Sequence, residues 1–235
     1  MPSTTTTSTA PLPGSTLRER LVNILVCPAE VFDEVIAAPA NAANWLVPTL
    51  LLAILAVVMA WLTLGNEQVQ AALGKFVGEG VLSDDQATKL ANGKQILAFT
   101  SLMIGVAVMA GTFWSAFVLW FIGRVFLRTR FSYLKTVEII GLASVVVGIG
   151  VVFTGLLMAA SGDPTAHPAA SFLVRSVECS ERVRAVLAVF DVFHLWAVTV
   201  ITVGLSRVSG VSFTKAGFWT FGYWIGLRLL LALVG

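Results

Sequence analysis

Between Trp45 and Leu64 the sequence reads WLVPTLLLAILAVVMAWLTL, without one charged side chain. A bilayer has a hydrocarbon core about 30 Å thick, and roughly 20 apolar helical residues are needed to cross it. Four comparable runs follow, and together they predict spans at about residues 45–64, 96–123, 137–161, 185–206 and 216–234. The runs do not alternate in polarity, as barrel strands of about ten residues would. Backbone amides inside lipid must be satisfied within their own segment, which leaves helices.

The chain therefore reads as an all-α, polytopic integral membrane protein: a five-transmembrane-helix bundle with N-terminal amphipathic helices. Only 12% of its residues are charged, against about 25% in soluble domains. That excludes an ordinary soluble enzyme and a nucleic-acid binder with a basic face. The first partner is the lipid bilayer, and no nucleic acid is expected. Cys27, Cys179, His167 and His194 are the only cysteines and histidines. They make neither a disulfide framework nor a zinc cluster, so no metal and no cofactor is expected. His-Glu-x-x-His, the Walker loop, Gly-x-Ser-x-Gly and Gly-x-Gly-x-x-Gly are all missing, and no catalytic residue is assigned.

Three regions are predicted. Residues 1–15 are a polar, Ser/Thr/Pro-rich disordered tail. Residues 16–44 form cytosolic amphipathic helices, and residues 45–235 form the membrane domain. Thr16 and Glu19 match a capping box, after which Leu17, Leu21, Ile24 and Leu25 share a face. Pro28 ends that helix and opens a second, with Phe32, Val35 and Ile36 together, which Pro39 ends. These helices rest on the membrane or the bundle, or else dock a cytosolic partner. Between the first two spans, Val69, Leu73, Phe76 and Val77 form a stripe and Ser83 and Gln86 a second capping box, which predicts a short helical hairpin. Trp114, Trp196 and Trp224 are read as packing residues.

Orientation follows from the loops. Arg18, Arg20, Arg124, Arg128, Arg130, Lys135, Arg207 and Lys215 fall on one side. Lys75, Lys89, Lys94, Arg175, Arg182 and Arg184 fall on the other, in longer loops. The positive-inside rule then puts the N-terminus in the cytoplasm and the C-terminus outside.

Charges within the spans stand out, because each costs about 2.5–3.5 kcal/mol at mid-membrane on insertion scales. Asp191 is placed seven residues into span four and Arg228 at similar depth in span five. His194 shares a helical face with Asp191. Asp191, His194 and Arg228 are thus expected to form an intramembrane polar cluster. Either it clasps spans four and five or it serves a proton or ion pathway. The clasp is preferred, since transporters carry more intramembrane polar groups. Glu138 and Arg124 sit at a boundary where long side chains snorkel. Gly222-x-x-x-Gly226 and Ser144-x-x-x-Gly148 permit close helix approach, and with it homo- or hetero-oligomers.

Three stretches carry a family resemblance. They are RERLVNILVCPAEVFDEVIAAP followed by NWLVPTLLL, then GRVFLRTRFSYLKTVEIIGLAS, then VFDVFHLWAVTVITVGLSRVSGVSFTKA with Asp191, Phe193, Trp196 and Gly204. In this order they resemble the YIP family of Ypt/Rab-interacting membrane proteins. The resemblance implies a five-span bundle with a cytosolic N-terminus. For eukaryotic members it implies vesicle traffic through Rab GTPases. The short N-terminal segment makes the chain more similar to bacterial members, which places it in a bacterial cytoplasmic membrane. The reading that follows is a non-enzymatic scaffold or adaptor, with protein partners at its cytosolic face. The alternative is a small transporter or channel using Asp191, His194 and Arg228.

Overall fold

The computed structural model describes residues 15–64, 93–163, 166–170, 183, 186–187 and 190–234. The predicted tail, the predicted hairpin of residues 65–94 (apart from its last two residues), and Arg175, Arg182 and Arg184 lie outside them. The named helices are α1 (Leu17–Asn23), α2 (Pro28–Ala37), α3 (Ala43–Leu64), α4 (Gly93–Phe121), α5 (Tyr133–Ser161), α6 (Val192–Ser209) and α7 (Phe213–Val234). A π-helical turn, Ile122–Phe126, continues α4.

Among the described residues, four helical stretches are long and apolar enough to cross a membrane: Ala43–Thr63, Ala98–Phe126, Tyr133–Ser161 and Val192–Ser209. The fifth expected span corresponds to α7. That helix has 22 residues, long enough to cross, and carries Lys215 near its start and Arg228 within it.

The helix at the centre is α5. In its most apolar stretch 56% of residues are buried, against 17–33% in the other three. Val137, Ile139, Leu142 and Val146 are all at or near zero exposure, as expected of a helix that is apolar all round. Around it, α3 and α4 turn Leu50, Ile54, Leu102, Val106 and Phe117 outward, toward lipid. Trp114, expected to pack inside, also faces outward at 61% exposure.

Glycines on α5 and α6 set how closely the helices approach. A Cβ on Gly141 would meet the Trp45 Cα at 2.3 Å, and one on Gly155 the Met59 Sδ at 2.8 Å, so α3 lies parallel to α5 at close range. A Cβ on Gly150 would meet Phe193, and one on Gly204 would meet Ile139 at 2.4 Å and Phe32 at 3.2 Å. This fixes α6 antiparallel to α5 and seats α2 against both. Small residues let helices pack where lipid supplies no hydrophobic drive. Ser144 is buried and Gly148 faces Leu55, whereas nothing described lies within 4 Å of Gly222 or Gly226.

At one end, α1 begins in a reciprocal cap. The Glu19 amide donates to Thr16 Oγ1 at 3.3 Å, and the Thr16 amide donates to Glu19 Oε2 at 2.7 Å. Pro28 takes the first helical position of α2, where its missing N–H costs nothing. Val31, Phe32 and Val35 of α2 are buried in the core shared with α5 and α6.

Candidate functional site

The structure concentrates polar groups at the two ends of the bundle. At the end away from α1 and α2, α6 starts later than expected. Asp191 lies at its N-cap with φ −82° and ψ 129°, outside the helix and not seven residues into it. Its Oδ1 accepts the His194 backbone N–H at 2.9 Å. A helix leaves its first amides without partners, and an aspartate here satisfies one while its charge suits the positive helix end. The local signal is a Phe-Asp-Val-Phe-His string, in which cap and interior look alike.

The short segment 166–170 pairs against the start of α6. Ala169 and Asp191 form an isolated antiparallel bridge, and the Val192 amide donates to the Pro168 carbonyl at 3.2 Å. This brings His167 beside Asp191 and His194. His194 Nδ1 lies 3.2 Å from Asp191 Oδ1. Burial works to raise the Asp191 carboxyl, but contacts from the His194 side chain and backbone outweigh it, and the group titrates below its ordinary value. For His167, burial pushes the imidazole down. Asp191 and Asp163 oppose that shift, while His194 and Arg228 reinforce it.

Arg228 does not complete the expected cluster as an ion pair. No Asp191–Arg228 pair within 4.0 Å occurs among the described residues; the guanidinium lies 5.8 Å from the Trp224 ring centroid. Asp191, His194 and His167 instead border a cavity of about 310 Å³ between α3, α5 and the start of α6. Its walls are mainly apolar, from Ala56 and Met59 on α3 and Val147, Val151 and Met158 on α5. Phe193 closes one flank against Gly150.

The other end carries a cluster the sequence reading passed over. Glu138 does not snorkel; it is 1% exposed. Its Oε1 accepts from the Asn41 amide at 2.9 Å and from Asn44 Nδ2 at 2.8 Å, and Lys135 Nζ sits 2.7 Å from Oε2. The same ammonium donates to the carbonyls of Val35 at 2.6 Å and Ala38 at 2.9 Å, at the C-terminal end of α2. A cation there suits the negative helix end. Asn44 in turn accepts from Arg20 Nη1 at 3.1 Å, and Arg20 Nε lies 3.8 Å from Glu34. The signals were Lys135-x-x-Glu138 at the head of a span and Asn41-x-x-Asn44 at the head of another. Arg124, by contrast, lies at the edge, 5.4 Å from the Trp120 ring centroid.

The order of these features follows a known domain. A Yip1 domain model matches residues 22–235. The chain belongs to the Yip1 domain family. It is a multi-pass integral membrane protein, as the resemblance of the three stretches implied. Comparison with curated proteins and with solved structures gives no match. Within this Yip1 domain the motif residues have definite places. Asp191 caps α6, Phe193 fills the space at Gly150, Trp196 packs on the core and Gly204 admits Ile139 and Phe32.

Proposed function

We propose that this Yip1-domain chain is a non-enzymatic scaffold in a bacterial cytoplasmic membrane, spanning it five times with α7 as the last span. The N-terminus is cytoplasmic and the C-terminus outside, and the partner is a protein at the cytosolic face. The observation that carries the reading is the Glu138 network, which fastens α1 and α2 to the heads of α3 and α5. Helices held this way offer a fixed surface, with Arg18, Glu30 and Asp33 charged and Val22 and Val26 apolar, all exposed. Deleting residues 17–37 would also strip Phe32 from the core, so surface changes are the better test.

The test compares native membranes carrying the wild type with membranes carrying Glu30→Arg. A stoichiometric protein partner is expected to copurify with the first and be depleted with the second, while proteoliposomes of the purified chain pass no proton current. A proton or ion flux that Asp191→Asn abolishes would overturn the scaffold in favour of a transporter built on Asp191, His194 and Arg228.

A further inference from the structure

The cavity beside Asp191 has the dimensions of one membrane leaflet. Its lining on α5 runs from Met158 to Val147, about 16 Å at 1.5 Å per residue. That is half of a hydrocarbon core about 30 Å thick. The polar end lies where α3 and α5 finish, beside His167 and Asp191, and the apolar end reaches toward the middle of the bundle. At about 310 Å³ and this length, the space is one alkyl chain wide.

Loose packing does not explain the void. The glycine contacts that border it are close: a Cβ on Gly150 would meet the Phe193 Cβ at 2.7 Å, and one on Gly155 the Met59 Sδ at 2.8 Å. Apolar cavities stay dry and take apolar guests, and in a bilayer the guest at hand is an acyl chain. Met59 and Met158 give the walls adaptable side chains.

The polar end selects the head group. The Asp191 side chain is only 11% exposed. Among the described residues no lysine or arginine pairs with it within 4.0 Å; its Oδ1 accepts the His194 amide at 2.9 Å and lies 3.2 Å from His194 Nδ1. A buried carboxylate without a fixed cation is completed by a donor that carries positive charge.

We propose that this cavity binds one acyl chain of a membrane lipid whose head group is a primary ammonium of the ethanolamine type, with Asp191 as its acceptor. The site is independent of the scaffold reading and needs no partner protein.

The test reconstitutes the full chain into nanodiscs with equal amounts of phosphatidylethanolamine, phosphatidylcholine and phosphatidylglycerol of one acyl composition. Native mass spectrometry then counts the lipid each protein retains. One phosphatidylethanolamine is expected, preferred over phosphatidylcholine by roughly tenfold, the factor a single charge-assisted hydrogen bond supplies. Asp191→Asn keeps the helix cap and should retain one lipid without head-group preference. Val151→Phe should retain none while unfolding at a similar temperature. If Val151→Phe does not fold, the Asp191→Asn arm alone decides. The proposal is overturned if no lipid is retained, if phosphatidylglycerol or phosphatidylcholine is preferred, or if the ethanolamine preference survives Asp191→Asn.

Discussion

The two ends of this bundle each place a carboxylate beside hydrocarbon, and they treat it in opposite ways. Glu138 is enclosed by Lys135, Asn41 and Asn44, and its network extends through Arg20 to Glu34. Asp191 has a helix amide, an imidazole and an open cavity. A buried charge is tolerated when an opposite charge and hydrogen bonds compensate it. At the first end Oε1 takes two donors and Oε2 faces the Lys135 ammonium at 2.7 Å, so the protein's own residues neutralise the charge and close the joint. The second leaves acceptor capacity and volume over, which is how a binding site differs from a joint.

The largest test of this contrast is Glu138→Ala. It leaves the Lys135 ammonium, 12% exposed, without its counter-charge. Breaking one member of such a buried pair costs about 3–5 kcal/mol. The variant should unfold at a much lower temperature in detergent, and Lys135→Met/Glu138→Ala should lose less than the two single changes summed. Additive losses would show that the joint is not a unit.

Next in size are the glycine contacts. Gly141→Ala sets a methyl against the Trp45 backbone, which cannot yield, and overpacking of this kind costs about 1–3 kcal/mol. Gly222→Ala meets nothing described within 4 Å and should leave the melting temperature of the monomer unchanged or slightly raised. If the two changes cost the same, the tightness at the joint end is not what holds α3 on α5.

The spans were legible because hydrophobic run length is a property of contiguous residues, and α3, α4 and α5 fall within a few residues of the expected bounds. The Yip1 resemblance was legible for the same reason. Glu138 was not, because Asn44 and Asn41 lie 94 and 97 residues away, and a span boundary alone already accounted for a charge. Asp191 was misplaced for a different reason. An aspartate before an apolar stretch reads equally as a buried charge or as a cap, and only the backbone turn at Phe190–Asp191 separates the two. The cavity was invisible, since it is a gap between residues of four separate segments.

At the cavity end, Asp191→Ala removes a cap and should cost about 1 kcal/mol, well below Glu138→Ala. Asp191→Asn should cost only a few tenths, because asparagine caps as well as aspartate. Thermal melts of the two variants side by side separate the cap from the charge. An Asn variant as unstable as the Ala variant would mean that the charge of the carboxylate at this end is also held by a fixed partner, and the contrast between the ends would fail.

The smallest expected effect is the dependence on pH. Burial holds the His167 imidazole below its ordinary 6.5, helped by His194 and Arg228 and opposed by Asp191 and Asp163. Between that lowered value and 6.5 the unfolded chain binds more protons than the folded one. Stability is therefore full above 6.5, falls as the pH drops through the window and levels off below it. The ring is partly exposed, so the slope is shallow. Asp191 acts lower on the scale. Its carboxyl titrates below 3.8 in the fold, and its contribution is lost only as the pH falls from 3.8 through that lower value. His167→Gln should flatten the melting-temperature profile just below pH 6.5 and leave the stability above it nearly unchanged. Ile139→Val, at the joint end, should shift the whole profile down without altering its slope. If His167→Gln kept the slope, the mildly acid titration would belong to another group, and the cavity end would not be the pH-sensitive half of the molecule.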